Sequence, residues 1–223
     1  MMQVYPEVLI KILFVLILGT ASLIIMQKTL SSLFSIYGVQ SFMIALISLI
    51  LFVQTGSYVL LALAIITLIT KVIIIPYMLN RVRVDSSIKR DAEFRYLTPV
   101  GAILVGIAII FCVYNSFFQV FKLSQDNLFF LGAVIGVSLS LIGMLVIFSR
   151  KKVVTKIVGY LTMENGILLF GLFMAELPFI IELLIIVDLI IFTVLATILA
   201  FGIESTEKEF HRRLNIFSPW FRK

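Results

Sequence analysis

Apolar residues in this chain fall into seven long runs, each about as long as a bilayer's hydrocarbon core is thick, and that pattern leaves few folds open. A core of about 30 Å takes roughly 20 helical residues to cross. The runs lie at 8–27, 34–54, 57–80, 97–118, 128–148, 157–175 and 180–202, and little of the 223-residue sequence remains for a soluble domain. They are apolar all round, whereas strands of a membrane barrel alternate apolar and polar residues. The sequence therefore predicts an all-α integral membrane protein with about seven transmembrane helices. Composition agrees. Only 13% of residues are charged and 61% are hydrophobic, against about 25% charged in a typical soluble domain.

The net charge of +6 could suggest a nucleic-acid partner, but its distribution argues for a membrane surface instead. Lys28 lies in the first connection. Arg81, Arg83, Lys89, Arg90 and Arg95 lie in the third, Arg150, Lys151, Lys152 and Lys156 in the fifth, and Lys208, Arg212, Arg213, Arg222 and Lys223 in the tail. With seven spans these 15 of the 18 basic residues share one side. The positive-inside rule then puts the N-terminus outside and the C-terminus in the cytoplasm, in a cell membrane crossed many times. Glu7 precedes Lys11 and no basic segment leads the first run, so it reads as a retained span, not a cleaved signal.

Cys112 and His211 are the sole cysteine and histidine, too few for a disulfide, zinc, haem-pair or iron–sulfur site. No cofactor, metal or catalytic residue is expected, and no nucleotide loop, HExxH pattern or GxSxG elbow occurs. Cys112 reads as inert packing and His211 as a solvated tail residue.

Four segments follow from the runs: a three-helix unit with its cytoplasmic loop at 1–96, a connecting fourth helix at 97–127, a second three-helix unit at 128–203, and a basic tail at 204–223. Gln54-Thr55-Gly56-Ser57 is short enough to make the second and third spans antiparallel neighbours. Pro99 closes the charged loop from Asp85 to Arg95, and Glu176-Leu177-Pro178 turns into the last run, where Glu182 reads as a solvated helix end. The tail, with Phe217, Trp220 and Phe221, suits the headgroups or a soluble neighbour. Lys28-Thr29-Leu30 runs to Gln40-Ser41 at the same offset as Lys152-Val153-Val154 runs to Glu164-Asn165. That spacing suggests two parallel copies around the fourth helix, a 3+1+3 plan.

Within the runs sit residues that lipid disfavours. Glu164, Asp188, Lys71 and Gln40 each lie roughly 9–14 Å from an end of their span, so they share a depth. An ionised side chain at mid-bilayer costs about 2.5–3.5 kcal/mol on insertion scales, so such groups face protein or water and mark proton or ion pathways. Asn165 and Gly166 follow Glu164, one a hydrogen-bond partner for a neighbouring helix and the other a point of close approach. Two readings stand: a mid-membrane proton path, or a buried ion pair of Lys71 with Glu164 or Asp188 that fixes helix register. Pro76, five residues after Lys71, frees a carbonyl nearby, either to hold water or as an ordinary kink. Gly132 and Gly136, and Gly101, Ala102 and Gly106, suggest helix-packing faces.

The segment Ile157-Val158-Gly159-Tyr160-Leu161-Thr162-Met163-Glu164-Asn165-Gly166 resembles the signature of component E of the hydrogenase-4 type complexes, a membrane subunit of formate hydrogenlyase and related respiratory assemblies. Ile69-Thr70-Lys71-Val72 with Pro76, and Tyr37-Gly38-Val39-Gln40-Ser41, extend the resemblance over most of the chain. The last three runs also resemble the K subunit of respiratory complex I, with Glu164 and Asp188 in place of its two intramembrane glutamates. Glu164 falls one turn later than that subunit's first acid, and the second acid is Asp. The resemblance implies a non-catalytic subunit between antiporter-like membrane subunits and the hydrogenase or quinone module, relaying protons through its buried acids. An independent secondary transporter and a structural scaffold are the competing classes.

Overall fold

In a computed structural model, residues 4–85, 97–120, 127–150 and 153–174, together with 190 and 193, are described. The long elements are α1 (Val4–Met26), α2 (Leu30–Thr55), α3 (Tyr58–Thr67), a π-helical segment (Leu68–Ile74), α4 (Ile75–Asp85), α5 (Pro99–Val120), α6 (Asn127–Ser149) and α7 (Val153–Met174). No β-strand occurs among the described residues. Among the described residues six helices are long and apolar enough to cross a bilayer, with α3, the π segment and most of α4 forming one continuous span. The chain is a multi-pass helical membrane protein. Each span matches an apolar run to within a few residues; the seventh run, with Asp188, lies outside the described residues apart from Ile190 and Thr193, as do Glu182 and the basic tail.

Helix ends follow from local sequence. α2 stops where Gly56 adopts φ 70°, a left-handed conformation that costs a residue with a Cβ, and its N–H closes back on the Phe52 carbonyl at 2.8 Å. Gly56 and Ser57 alone connect α2 to α3, so the two are antiparallel neighbours as their spacing predicts. Pro99 opens α5, where its missing N–H costs nothing.

The core lies among α1, α2, α6 and α7. Ile17, Ile24, Phe34, Ile44, Leu139 and Leu169 are buried there together. α6 and α7 form the tightest pair, because small residues let their backbones touch. A Cβ on Gly136 would lie 2.5 Å from the Phe170 nitrogen, and one on Gly159 would lie 2.9 Å from the Ile147 nitrogen. Gly132 receives the Phe173 ring, Gly143 the Met163 backbone, and Gly166 the Ser140 backbone. Without a hydrophobic drive between helices in lipid, close contact of this kind supplies the association energy. Ser140 Oγ reinforces it by donating to the Gly136 and Met163 carbonyls, each at 3.1 Å.

α3 and the π segment pack on α2, and α5 packs on α1 and α6. On α5 the expected small-residue face is only partly used. Ala102 is buried and Gly106 meets Ile25, but the nearest groups to Gly101 are its own neighbours Leu97 and Thr98. Cys112 is exposed on α5, so it is not the core packing residue that an apolar helix suggests. α5 turns much of its side outward, and nothing in its uniformly apolar sequence distinguishes that side from a packed one.

Candidate functional site

Lys71 and Glu164 meet. The Lys71 Nζ lies 2.9 Å from Glu164 Oε1, with both side chains at most 2% exposed. Lys71 is carried by the π segment, where the Ile75 N–H bonds to the Thr70 carbonyl five residues back in place of the usual four. That wider turn holds Lys71 on the protein side while Ile69 and Ile73 face outward. π turns strain the ladder and concentrate at functional positions. Pro76 sits second in α4, so the return from π to α winding falls where one N–H is already missing. Gly38 of α2 lies against this bend, with Pro76 Cγ 3.5 Å and the Val72 carbonyl 4.0 Å from where its Cβ would be. A π segment cannot be read from a run in which nearly every residue is apolar, since no change of periodicity marks it.

A second set of polar contacts adjoins the pair. Asn165 Nδ2 donates to Ser41 Oγ at 2.9 Å and to Gln40 Oε1 at 3.3 Å, and Gln40 Nε2 donates to Thr20 Oγ1 at 3.2 Å. The Thr20 hydroxyl in turn donates to the Ile17 carbonyl at 2.7 Å. Glu164 and Asn165 are adjacent on α7, so α1, α2, α7 and the π segment all contribute to one buried layer. Asn165 Oδ1 is buried without a hydrogen-bond partner among the described residues. The common depth of Lys71, Gln40 and Glu164 was legible in the sequence, which left open whether Lys71 meets Glu164 or Asp188; Thr20 gave no signal beyond being a hydroxyl deep in an apolar run. Asp188 lies outside the described residues.

Arg150 was also unforeseen, because the sequence places it in a cytoplasmic loop. It is fully buried, and its Nη2 donates to the Ile24 and Ile25 carbonyls, both at 3.0 Å. It thereby caps the last turn of α1, whose carbonyls lack partners and carry partial negative charge. Burial lowers the guanidinium pKa to about 10, so it remains a cation at neutral pH.

Chemically, the layer separates into titratable and fixed parts. Lys71 and Glu164 are ionisable side chains, whereas the amides of Gln40 and Asn165 are not and can only orient their neighbours. Among the described residues no cluster of His, Cys, Asp or Glu could hold a metal ion. The geometry thus defines a class: a multi-pass helical membrane protein with a buried cation–carboxylate pair midway along its spans. No protein-family model, curated protein or solved structure matches the chain.

Proposed function

We propose that the chain is a non-catalytic subunit of a complex-I-like or energy-converting hydrogenase-type membrane assembly, in which the Lys71–Glu164 pair is a station on a mid-membrane proton path. The observation that carries this reading is the direct 2.9 Å contact of two buried, opposite charges far from either helix end. Each charge is held in the dry interior by the other, so a change of charge on either side chain is felt directly by its partner. Gln40 and Asn165 fix the geometry around the pair. The sequence resemblance to hydrogenase-4 component E supplies the company: antiporter-like subunits on one side and a hydrogenase or quinone module on the other, in the cytoplasmic membrane. In this reading Asp188, on a seventh span, is the second acid.

The contacts among helices favour the 3+1+3 plan. α1 touches α6, α2 touches α7, and the Asn165–Ser41 hydrogen bond joins positions that correspond under the proposed repeat. Parallel copies about an axis along the membrane normal bring equivalent residues together at one depth in this way.

Glu164→Gln tests the function. It is expected to leave assembly intact while lowering coupled proton translocation about tenfold or more, a loss of at least about 1.4 kcal/mol in the transfer step. Full translocation in that variant refutes the proposal. The scaffold reading has one observation of its own, the Asn165 bridge that ties α7 to α2 next to the pair. If it holds, Lys71→Met reduces the amount of assembled complex and leaves turnover per complex unchanged.

A further inference from the structure

α5 stands apart from the other described spans. Only 17% of its apolar stretch is buried, against 33–67% in the other five, and its buried residues Ala102, Gly106 and Val113 share one narrow strip. The exposed remainder is of two kinds. Bulky Leu104, Ile107, Phe111 and Phe118 lie to one side. On the other, Gly101, Val105, Ala108, Cys112, Asn115 and Gln119 recur at alternating steps of four and three, which keeps all six within about 80° of arc along the helix. Five of these are exposed. A Cβ added at the sixth, Gly101, would meet only Thr98 and Leu97, so no other described helix covers that end of the strip.

Lipid alone does not suit this strip, because it carries amides. Neither Asn115 nor Gln119 forms a side-chain hydrogen bond among the described residues, whereas the nearby Ser116 hydroxyl is spent on the Cys112 carbonyl at 2.9 Å. Gln119 ends the span and reaches the headgroups. Asn115 lies a full turn, about 6 Å, further in. The Tyr114 ring beside it meets Phe130 of α6 at 5.7 Å, so this level is within the bundle and not beyond its end. An amide held in hydrocarbon without a partner costs roughly 2–7 kcal/mol, and the natural complement of an amide is a second amide at the same depth.

We propose that this strip is the seam of a homodimer, in which the α5 helices of two copies of the chain pack in parallel and Asn115 hydrogen-bonds the partner subunit's Asn115. Copies inserted in the same orientation bring equivalent residues together at one depth about a twofold axis along the membrane normal. Each amide then donates to and accepts from the other. Steps of four and three keep a seam facing its partner along a left-handed helix pair, and one polar seam position fixes a parallel register. Gly101, Ala108 and Cys112 are small, which allows the close backbone approach on which association in lipid depends. The bulky side of α5 shows the contrast: Leu104, Ile107, Phe111 and Phe118 offer lipid neither small residues nor hydrogen-bonding groups. The proposal does not rest on the proton-path reading. If the chain belongs to a larger assembly, α5 is where two such assemblies join.

Cys112, the sole cysteine, lies on the seam and is its own probe. A disulfide forms only where two Cα atoms come within about 7 Å. Oxidation of native membranes with copper phenanthroline is therefore expected to join full-length chains through Cys112 into a product of twice the chain's 25.2 kDa. In a Cys112→Ala background, Ala108→Cys should cross-link likewise, and Ile107→Cys on the bulky side about tenfold less or weaker still. Asn115→Val is expected to weaken dimerisation about tenfold, equivalent to about 1.4 kcal/mol, read as the dimer fraction on dilution of the purified full chain into lipid vesicles. No dimer at either seam cysteine, equal yields at 107, 108 and 112, or an Asn115→Val variant that dimerises as before overturns the proposal. So does a Cys112 product of any other mass, which would place a different subunit on this face. Cross-linking requires no proton transport, so the dimer can fail while the proton path stands, and the reverse.

Discussion

Two buried cations in this chain are held by different means. Lys71 meets a carboxylate, and Arg150 meets the carbonyl end of a helix. Removing Arg150 leaves those carbonyls without their donor, so Arg150→Ala is expected to cost about 1.5–3 kcal/mol, read as earlier thermal unfolding in detergent. Arg150→Lys should recover only part of that, because an ammonium lacks the planar fork. The folded pKa of about 10 lies below the ordinary guanidinium value, so the unfolded chain holds this proton longer. Stability from this group therefore rises with pH only between those values and is flat at neutrality. Such individual roles were unevenly legible. The common depth of Lys71 and Glu164 was visible as distance from the span ends, but whether Lys71 meets an acid depends on helix rotation, which apolar runs do not encode. Arg150 looked like its neighbours in a basic loop because sequence position reports nearness to the interface and not whether a side chain turns inward.

Among the elements, α6 and α7 show how small residues set an interface, and the glycines divide sharply in what they tolerate. A Cβ at 143 would lie 2.7 Å from the Gly159 carbonyl oxygen, while one at 19 would have nothing within 4 Å. Gly143→Ala is expected to separate the helices and lower stability by about 1–3 kcal/mol, the usual range for overpacking. Gly19→Ala should be neutral or stabilise by up to about 1 kcal/mol through helix propensity. Comparing the two by thermal unfolding checks the packing with the chemistry of substitution held constant. Spacing revealed Gly132 and Gly136 as an interface. The partners on α7 needed three dimensions, since Gly159 and Gly166 are spaced by seven and face α6 only because of how α7 is rotated. The π segment was invisible for a related reason: a wider turn changes which residues face the protein, and residues flanking Lys71 are apolar either way.

At the scale of the whole molecule, hydropathy predicted the six described spans closely, while their arrangement about one polar layer depended on contacts between distant segments. If the seventh run crosses as proposed, a fluorescent protein fused after Lys223 will fold in the cytoplasm and one fused after Met174 will not; fluorescence from both defeats the seven-span topology. The order of synthesis adds a requirement. Lys71 leaves the ribosome about 90 residues before Glu164, so at roughly 5–20 residues per second it spends several seconds without the acid that holds it in the finished protein. Its span must therefore enter lipid on its own merits, and the isoleucines around Lys71 supply the needed hydropathy. Biogenesis thus separates two tasks that the folded state merges: nascent chains cut short before α7 should still integrate, but with a lysine awaiting its counter-ion, a species that membrane quality-control proteases are equipped to remove.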